Sequence, residues 1–164
     1  MFTLELTDLA ATIGAHLRED RHTIAVAEGS AGGLISAALL SIPGASAYYL
    51  GGTVIYTMAA KRALIEGAVE EPPAMRGATE GFARYLAESA SAKLGTTWGI
   101  GEAGAAGPPN RYGDPAGHAW VAVAGPVART RHLLTGLDDR AENMVAFAVG
   151  ALRLLAEAIQ SQVP

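Results

Sequence analysis

Residues 23 to 40 constrain the fold more than any other part of the chain. Thr23-Ile24-Ala25-Val26-Ala27 is a short, nearly continuous apolar run, Glu28 to Gly33 is a turn of small residues, and Leu34-Ile35-Ser36-Ala37-Ala38-Leu39-Leu40 reads as a helix. A strand without polar alternation is covered on both faces, as in a sheet between helices. Pro43 and Gly44 stop the helix, since neither residue continues it well. Strand, glycine-rich turn and helix in succession predict an α/β fold.

The rest of the chain extends that pattern. Leu9, Ile13 and Leu17 recur at four-residue steps and predict a helix over 7–17. A strand is expected over 51–57, through Val54, Ile55 and Tyr56, then a short helix over 58–65 carrying Lys61 and a loop at 70–74 with Pro72-Pro73. Phe82, Leu86, Ala90 and Leu94 line one face of a helix expected over 76–94, and 97–101 reads as another buried strand. From Glu102 to Ala116 the sequence is rich in Gly, Pro, Asn and Asp without periodicity, which predicts a loop long enough to carry function. Strands over 117–124 and 128–134 form a hairpin around Gly125-Pro126, and Val145, Val149, Leu152, Leu155 and Ile159 mark a final helix. The expected architecture is a three-layer α/β/α sandwich with a mixed sheet, in one domain spanning residues 1–164.

Composition narrows the chemistry. The chain has no cysteine, which excludes disulfides, thiolate metal sites and a cysteine nucleophile and suits a reducing cytosol. His16, His22, His118 and His132 show no metal-ligand spacing, so neither a metal nor another cofactor is expected. A formal charge of −4 supplies no basic field for nucleic acid. The N-terminal twenty residues hold Glu5, Asp8, Glu19 and Asp20, and the apolar stretch 145–158 is broken by Arg153 and Glu157. Neither a signal peptide nor a membrane span is expected, and the predicted location is cytoplasmic. The 34 alanines favour closely packed helices.

Three constellations could carry function. Free N–H groups in the turn Glu28-Gly29-Ser30-Ala31-Gly32-Gly33 could hold a phosphate or carboxylate, although the same glycines also suit a tight turn with no ligand. Gly99-Ile100-Gly101-Glu102-Ala103-Gly104 has the spacing of a dinucleotide fingerprint. Its context is wrong, because Pro108-Pro109 and a turn-rich loop follow where a helix should begin. The run Gly104 to Pro108 is better read as backbone passing close to another group, such as a ligand. Tyr56 and Lys61 lie across a strand end and a first helical turn. Burial disfavours an ammonium ion, so this lysine could serve as base or donor, or equally start a solvated helix face. Arg111 and Arg140 could contact an anion.

Many blocks occur in one order: Ile24-Ala25-Val26-Ala27-Glu28, Gly32-Gly33, Pro43-Gly44-Ala45-Ser46-Ala47-Tyr48, Gly51-Gly52-Thr53-Val54-Ile55-Tyr56, Ala60-Lys61, Gly77-Ala78, Ala106-Gly107-Pro108, Pro115-Ala116-Gly117 and Asp139-Arg140. Together they resemble the C-terminal domain of CinA, the competence/damage-inducible family that includes nicotinamide mononucleotide (NMN) amidohydrolases. Longer members carry a further N-terminal domain, for which 164 residues leave no room; the chain resembles a stand-alone, divergent member. The resemblance implies hydrolysis of NMN to nicotinate mononucleotide and ammonia without metal, in pyridine nucleotide metabolism. It also implies a homo-oligomer, a dimer or larger.

The family's turn reads Ala-Glu-Ser-Cys-Thr-Gly-Gly, with its serine as nucleophile activated by tyrosine and lysine, and a threonine in a Thr-Gly-Ile-Ala-Gly-Pro loop contacts substrate. In this chain Tyr56 and Lys61 match the activating pair. Gly29 stands at the serine position, Ser30 at the cysteine, Ala31 at the first threonine and Ala103 at the second; Arg140 is retained, whereas Met144 stands where a second arginine is expected. The resemblance therefore implies a catalytic set of Lys61, Tyr56 and Ser30. It implies a substrate-binding set of Glu28, Gly29, Gly32, Gly33, Ala103, Gly104, Gly107, Arg111 and Arg140. Three functions follow as expectations. The first is a nucleotide-sized pocket for a small molecule such as a pyridine mononucleotide, with deamidase activity impaired or lost. The second is an amidohydrolase using Ser30 with Lys61. The third is a non-catalytic oligomeric scaffold or regulatory protein.

Overall fold

The computed structural model describes residues 3–162. In chain order the elements are α1 (Leu4–Glu19), β1 (Ile24–Glu28), α2 (Leu34–Leu40), β2 (Tyr49–Val54), α3 (Met58–Leu64), α4 (Glu80–Leu94), β3 (Trp98–Ala105), β4 (His118–Ala124), β5 (Arg129–Leu134) and α5 (Arg140–Gln160). The strands form one sheet in the order β2-β1-β3-β4-β5, with β1 parallel to β2 and β3, and β4 antiparallel to both β3 and β5. This is the mixed sheet expected from the sequence.

Side-chain alternation along the strands sorts residues between two helical layers. Ile24, Val26, Trp98 and Ile100 pack with residues of α1, α2 and α5, including Leu6, Ile13, Ile35, Phe147 and Leu155. Ala25, Ala27 and Ala103 face Phe82, Tyr85 and Leu86 of α4. All five residues of β1 are buried, as a strand covered on both faces requires.

Glycine sets the spacing on the α4 side. A Cβ on Gly99 would lie 2.1 Å from the Ala87 carbonyl oxygen, and one on Gly101 would lie 1.9 Å from that of Ala83. These residues of the apparent dinucleotide fingerprint thus let α4 approach β3 at backbone distance. Gly104 likewise abuts β4, where a Cβ would meet the Ala119 side chain at 2.5 Å. The close approach read from the sequence at Gly104 is made by the chain itself.

Three boundaries differ from expectation. Helix α4 begins at Glu80 rather than 76, because Thr79 is extended and its side chain caps Phe82 N–H, while Ala78 holds φ 56°. Residues 102–105 continue β3 instead of opening the long loop, since their backbone pairs in register with β4 from Glu102↔Val121 to Ala105↔His118. Strand β2 ends at Val54, so Tyr56 lies past its end and is 65% exposed. Among the described residues no helix is long and apolar enough to cross a membrane.

Two substitutions in this layer should act in opposite directions. Gly101→Ala forces β3 and α4 apart and should cost about 3 kcal/mol. Gly81→Ala, at an exposed site inside α4 with open space for the new methyl, should gain about 0.5–1 kcal/mol through helix propensity. Urea unfolding of the two variants checks both signs.

Candidate active site

Strands β1 and β3 are adjacent and parallel, and Glu28 pairs in register with Glu102. Each shares strand parity with the apolar residues facing α1, α2 and α5, so two carboxyl groups enter the same layer side by side. Both residues are fully buried. A buried carboxylate is tolerated only where hydrogen bonds replace its water, and each finds them in the turn or in α2.

Glu28 Oε2 accepts from Ile35 N–H at 3.1 Å, and its Oε1 accepts from Ser36 N–H at 2.9 Å and Ser36 Oγ at 2.7 Å. Glu28 thus satisfies the free N–H groups in the first turn of α2. Gly32 (φ 67°) and Gly33 (φ 98°) supply the left-handed backbone that carries the chain into that helix. Glu102 enters the preceding turn. Its Oε2 accepts from Gly29 N–H at 3.0 Å and Ala31 N–H at 2.8 Å, while its Oε1 accepts a short hydrogen bond from Ser30 Oγ. The turn expected to hold a ligand's anion therefore holds the Glu102 carboxyl of its own chain.

Burial pushes the Glu102 carboxyl up to about 7, with the nearby Glu28 charge adding to the rise, while the hydrogen bonds from Ser30, Ala31 and Gly29 oppose it. Glu102 was not among the site residues expected from the sequence. Its signal was the shared parity of Trp98, Ile100 and Glu102 beside the matching run that ends at Glu28.

Gly29, Ser30, Tyr56, Ala103 and Gly104 share a cleft of about 100 Å³, walled also by Ile55, Ala78 and Phe82. Ser30 is 7% exposed at this surface. The volume suits a small acyl or aromatic group, with the open side of the cleft toward Tyr56. At the rim, Arg140 Nη2 donates to the Tyr56 phenol at 2.9 Å, and Nη1 donates to the Gly107 carbonyl. Arg140 thus ties the start of α5 to two expected site residues.

Other expected residues stand elsewhere. Lys61 is 2% exposed, but its ammonium pairs with Glu71 and lies 5.3 Å from the centre of the Tyr85 ring. One of its N–H groups is given to Glu71, and Lys61 is not among the residues that wall the cleft with Ser30. Arg111 is exposed, donates to the Tyr112 hydroxyl at 2.7 Å and lies over that ring, outside the cleft. Its loop is braced by Asp114, which accepts from Arg76 and Asn110 at 2.8 Å each. A Cβ on Gly29 would approach the Ile55 and Glu102 carbonyl oxygens at 3.2 and 3.3 Å, and Met144 packs over Gly32.

A model of the CinA C-terminal domain family matches residues 6–159. The chain belongs to that family. It is 38% identical over 148 residues to a CinA-like protein of Salinibacter ruber, covering 88% of this chain and 35% of that protein. A CinA-like protein of Synechocystis is 35% identical over 133 residues, covering 80% of this chain and 32% of the relative. The chain thus spans about a third of the length of these curated relatives. The crystal structure of competence/damage inducible protein CihA from Agrobacterium tumefaciens superposes with a TM-score of 0.87 at 27% identity, covering 98% of each chain. The chain therefore has the scaffold of that structure, and within it Glu102 lies beside Ser30.

The raised Glu102 value has a definite thermodynamic sign. The fold holds this proton more tightly than the unfolded chain, so its contribution is fully present below about 4.5 and is lost as pH rises through about 7. Relative to the natural chain, Glu102→Gln should therefore be more stable at pH 8 than at pH 5, by a difference of about 3 kcal/mol. Urea unfolding at both pH values measures it; an equal offset at both would refute the buried charge as its source.

Proposed function

We propose that this CinA-family domain binds a small molecule with a flat, amide-bearing head, such as a pyridine mononucleotide, while hydrolysing NMN poorly or not at all. The observation that carries the reading is the arrangement at Gly29. No hydroxyl stands there, and the N–H groups flanking Ser30 are filled by Glu102. Lys61, the activating residue implied by the family, pairs with Glu71 instead. A serine-type deamidase needs a positioned nucleophile with its base within hydrogen-bond reach, and position 29 supplies neither.

Binding has better support. Ile55, Ala78, Phe82 and Ala103 offer apolar walls for a ring, and Arg140 with Tyr56 offers donors at the rim for an anionic group farther out. The Ser30 hydroxyl favours a second reading, a hydrolase of altered substrate, since Glu102 beside it supplies a base that Lys61 does not.

With NMN, ammonia release should stay far below ordinary turnover of about 1–1,000 per second, while thermal shift detects binding. Arg140→Ala should weaken that binding about tenfold, matching the loss of one charged contact to a phosphate. Turnover at ordinary rates would overturn the proposal, and an unaltered affinity in Arg140→Ala would remove the rim from it.

A further inference from the structure

We infer that Ser30 and Glu102 form a nucleophile–base pair able to transfer a short uncharged acyl group. This inference rests on the reading of the cleft as a small-molecule site, but requires neither NMN nor the family's lysine. The two oxygens of Glu102 have separate duties. Oε2 is fixed by the backbone N–H groups of Gly29 and Ala31, leaving Oε1 aimed at Ser30 Oγ. A base must itself be oriented before it can orient a nucleophile. Here the orienting group is the turn that carries the serine, so nucleophile and base move as one body. The carboxyl has been pushed up to about 7 by burial, close to what a general base at neutral pH requires.

The step balances without a metal or another reagent. Ser30 Oγ attacks the carbonyl carbon of the acyl donor as its proton passes to Glu102 Oε1. Collapse of the tetrahedral adduct breaks the bond to the alcohol or amine, which takes the proton back from Glu102 and leaves an ester on Oγ. Water then attacks that ester, again giving a proton to Glu102. Release of the acid returns the proton to Oγ. The apolar walls of the cleft favour a short apolar acyl portion. Two buried glutamates close by exclude an anionic one.

The probe is p-nitrophenyl acetate, read by p-nitrophenolate release and by mass-spectrometric location of the acetyl group after acid quench. Acetyl should accumulate on Ser30 well above the exposed Ser41, with release rising through about pH 7. Ser30→Ala and Glu102→Gln should each slow it about 100-fold. Glutamine retains an acceptor for the turn N–H groups, and a thermal melt confirms that the variant folds. Glu102→Asp is the second variant: it keeps the charge but withdraws it from Oγ, and should be slow as well. Acetyl found only on the exposed Lys93, or Glu102 variants as fast as the natural chain, overturns the pair. Nicotinamide binding in a thermal-shift assay separates the two ideas. Binding without Ser30 acetylation sinks the pair alone, and Ser30 acetylation without binding sinks the ligand reading alone.

Discussion

A carboxyl group with no access to water must have its hydrogen bonds supplied by the chain, and Glu102 has them from residues 29–31. That demand shapes the end of β1 and the turn after it. Two N–H groups converge on one carboxylate oxygen, so the peptide planes of the turn are committed inward. Glu28, one strand away, imposes the same demand on the first turn of α2. The strand–turn–helix unit is thus organised around two internal carboxyl groups. An incoming phosphate would find the N–H groups of Gly29, Ala31, Ile35 and Ser36 already bonded.

The same strands show how packing places chemistry. Glu102 reaches the turn because β3 lies beside β1 in parallel register, and β3 carries α4 at backbone distance through Gly99 and Gly101. Close packing on one face leaves Phe82 and Ala103 as walls of the cleft. The other face has space for two glutamate side chains between the sheet and α2. A larger residue at 99 or 101 would move β3 outward and carry the Glu102 backbone with it.

Much of this was legible beforehand where one local rule dominates. Ile24 to Ala27 reads as a doubly covered strand, and the apolar residues of α5 repeat at helical steps, because burial alone sets those patterns. The site was less legible because its groups belong to different periods. Glu102 follows a buried run and reads as an exit to a loop, yet its backbone bonds to β4 continue for three more residues. A glutamate can remain inside a strand when the neighbouring turn supplies donors, and no window on β3 alone contains that turn. Lys61 presents the converse case. Its burial follows from α3 packing against Tyr85, but its partner Glu71 comes from a segment without periodicity. Arg140 and Tyr56 meet across 84 residues, a separation that no local pattern spans.

The differences from the family motif are coupled through space. Loss of the hydroxyls implied at positions 29 and 103 would by itself leave a trimmed version of a serine-29 site. The acid at position 102 makes it another arrangement. Its carboxylate takes the N–H groups on either side of Ser30, and its carbonyl oxygen crowds any Cβ at 29. A serine side chain placed at 29 in this backbone would press on the Ile55 and Glu102 carbonyls, and the nearest base would still face residue 30. The hydroxyl hydrogen-bonded to this carboxyl group is the one at position 30. Lys61, which the family resemblance would pair with a serine, has its ammonium beside Glu71.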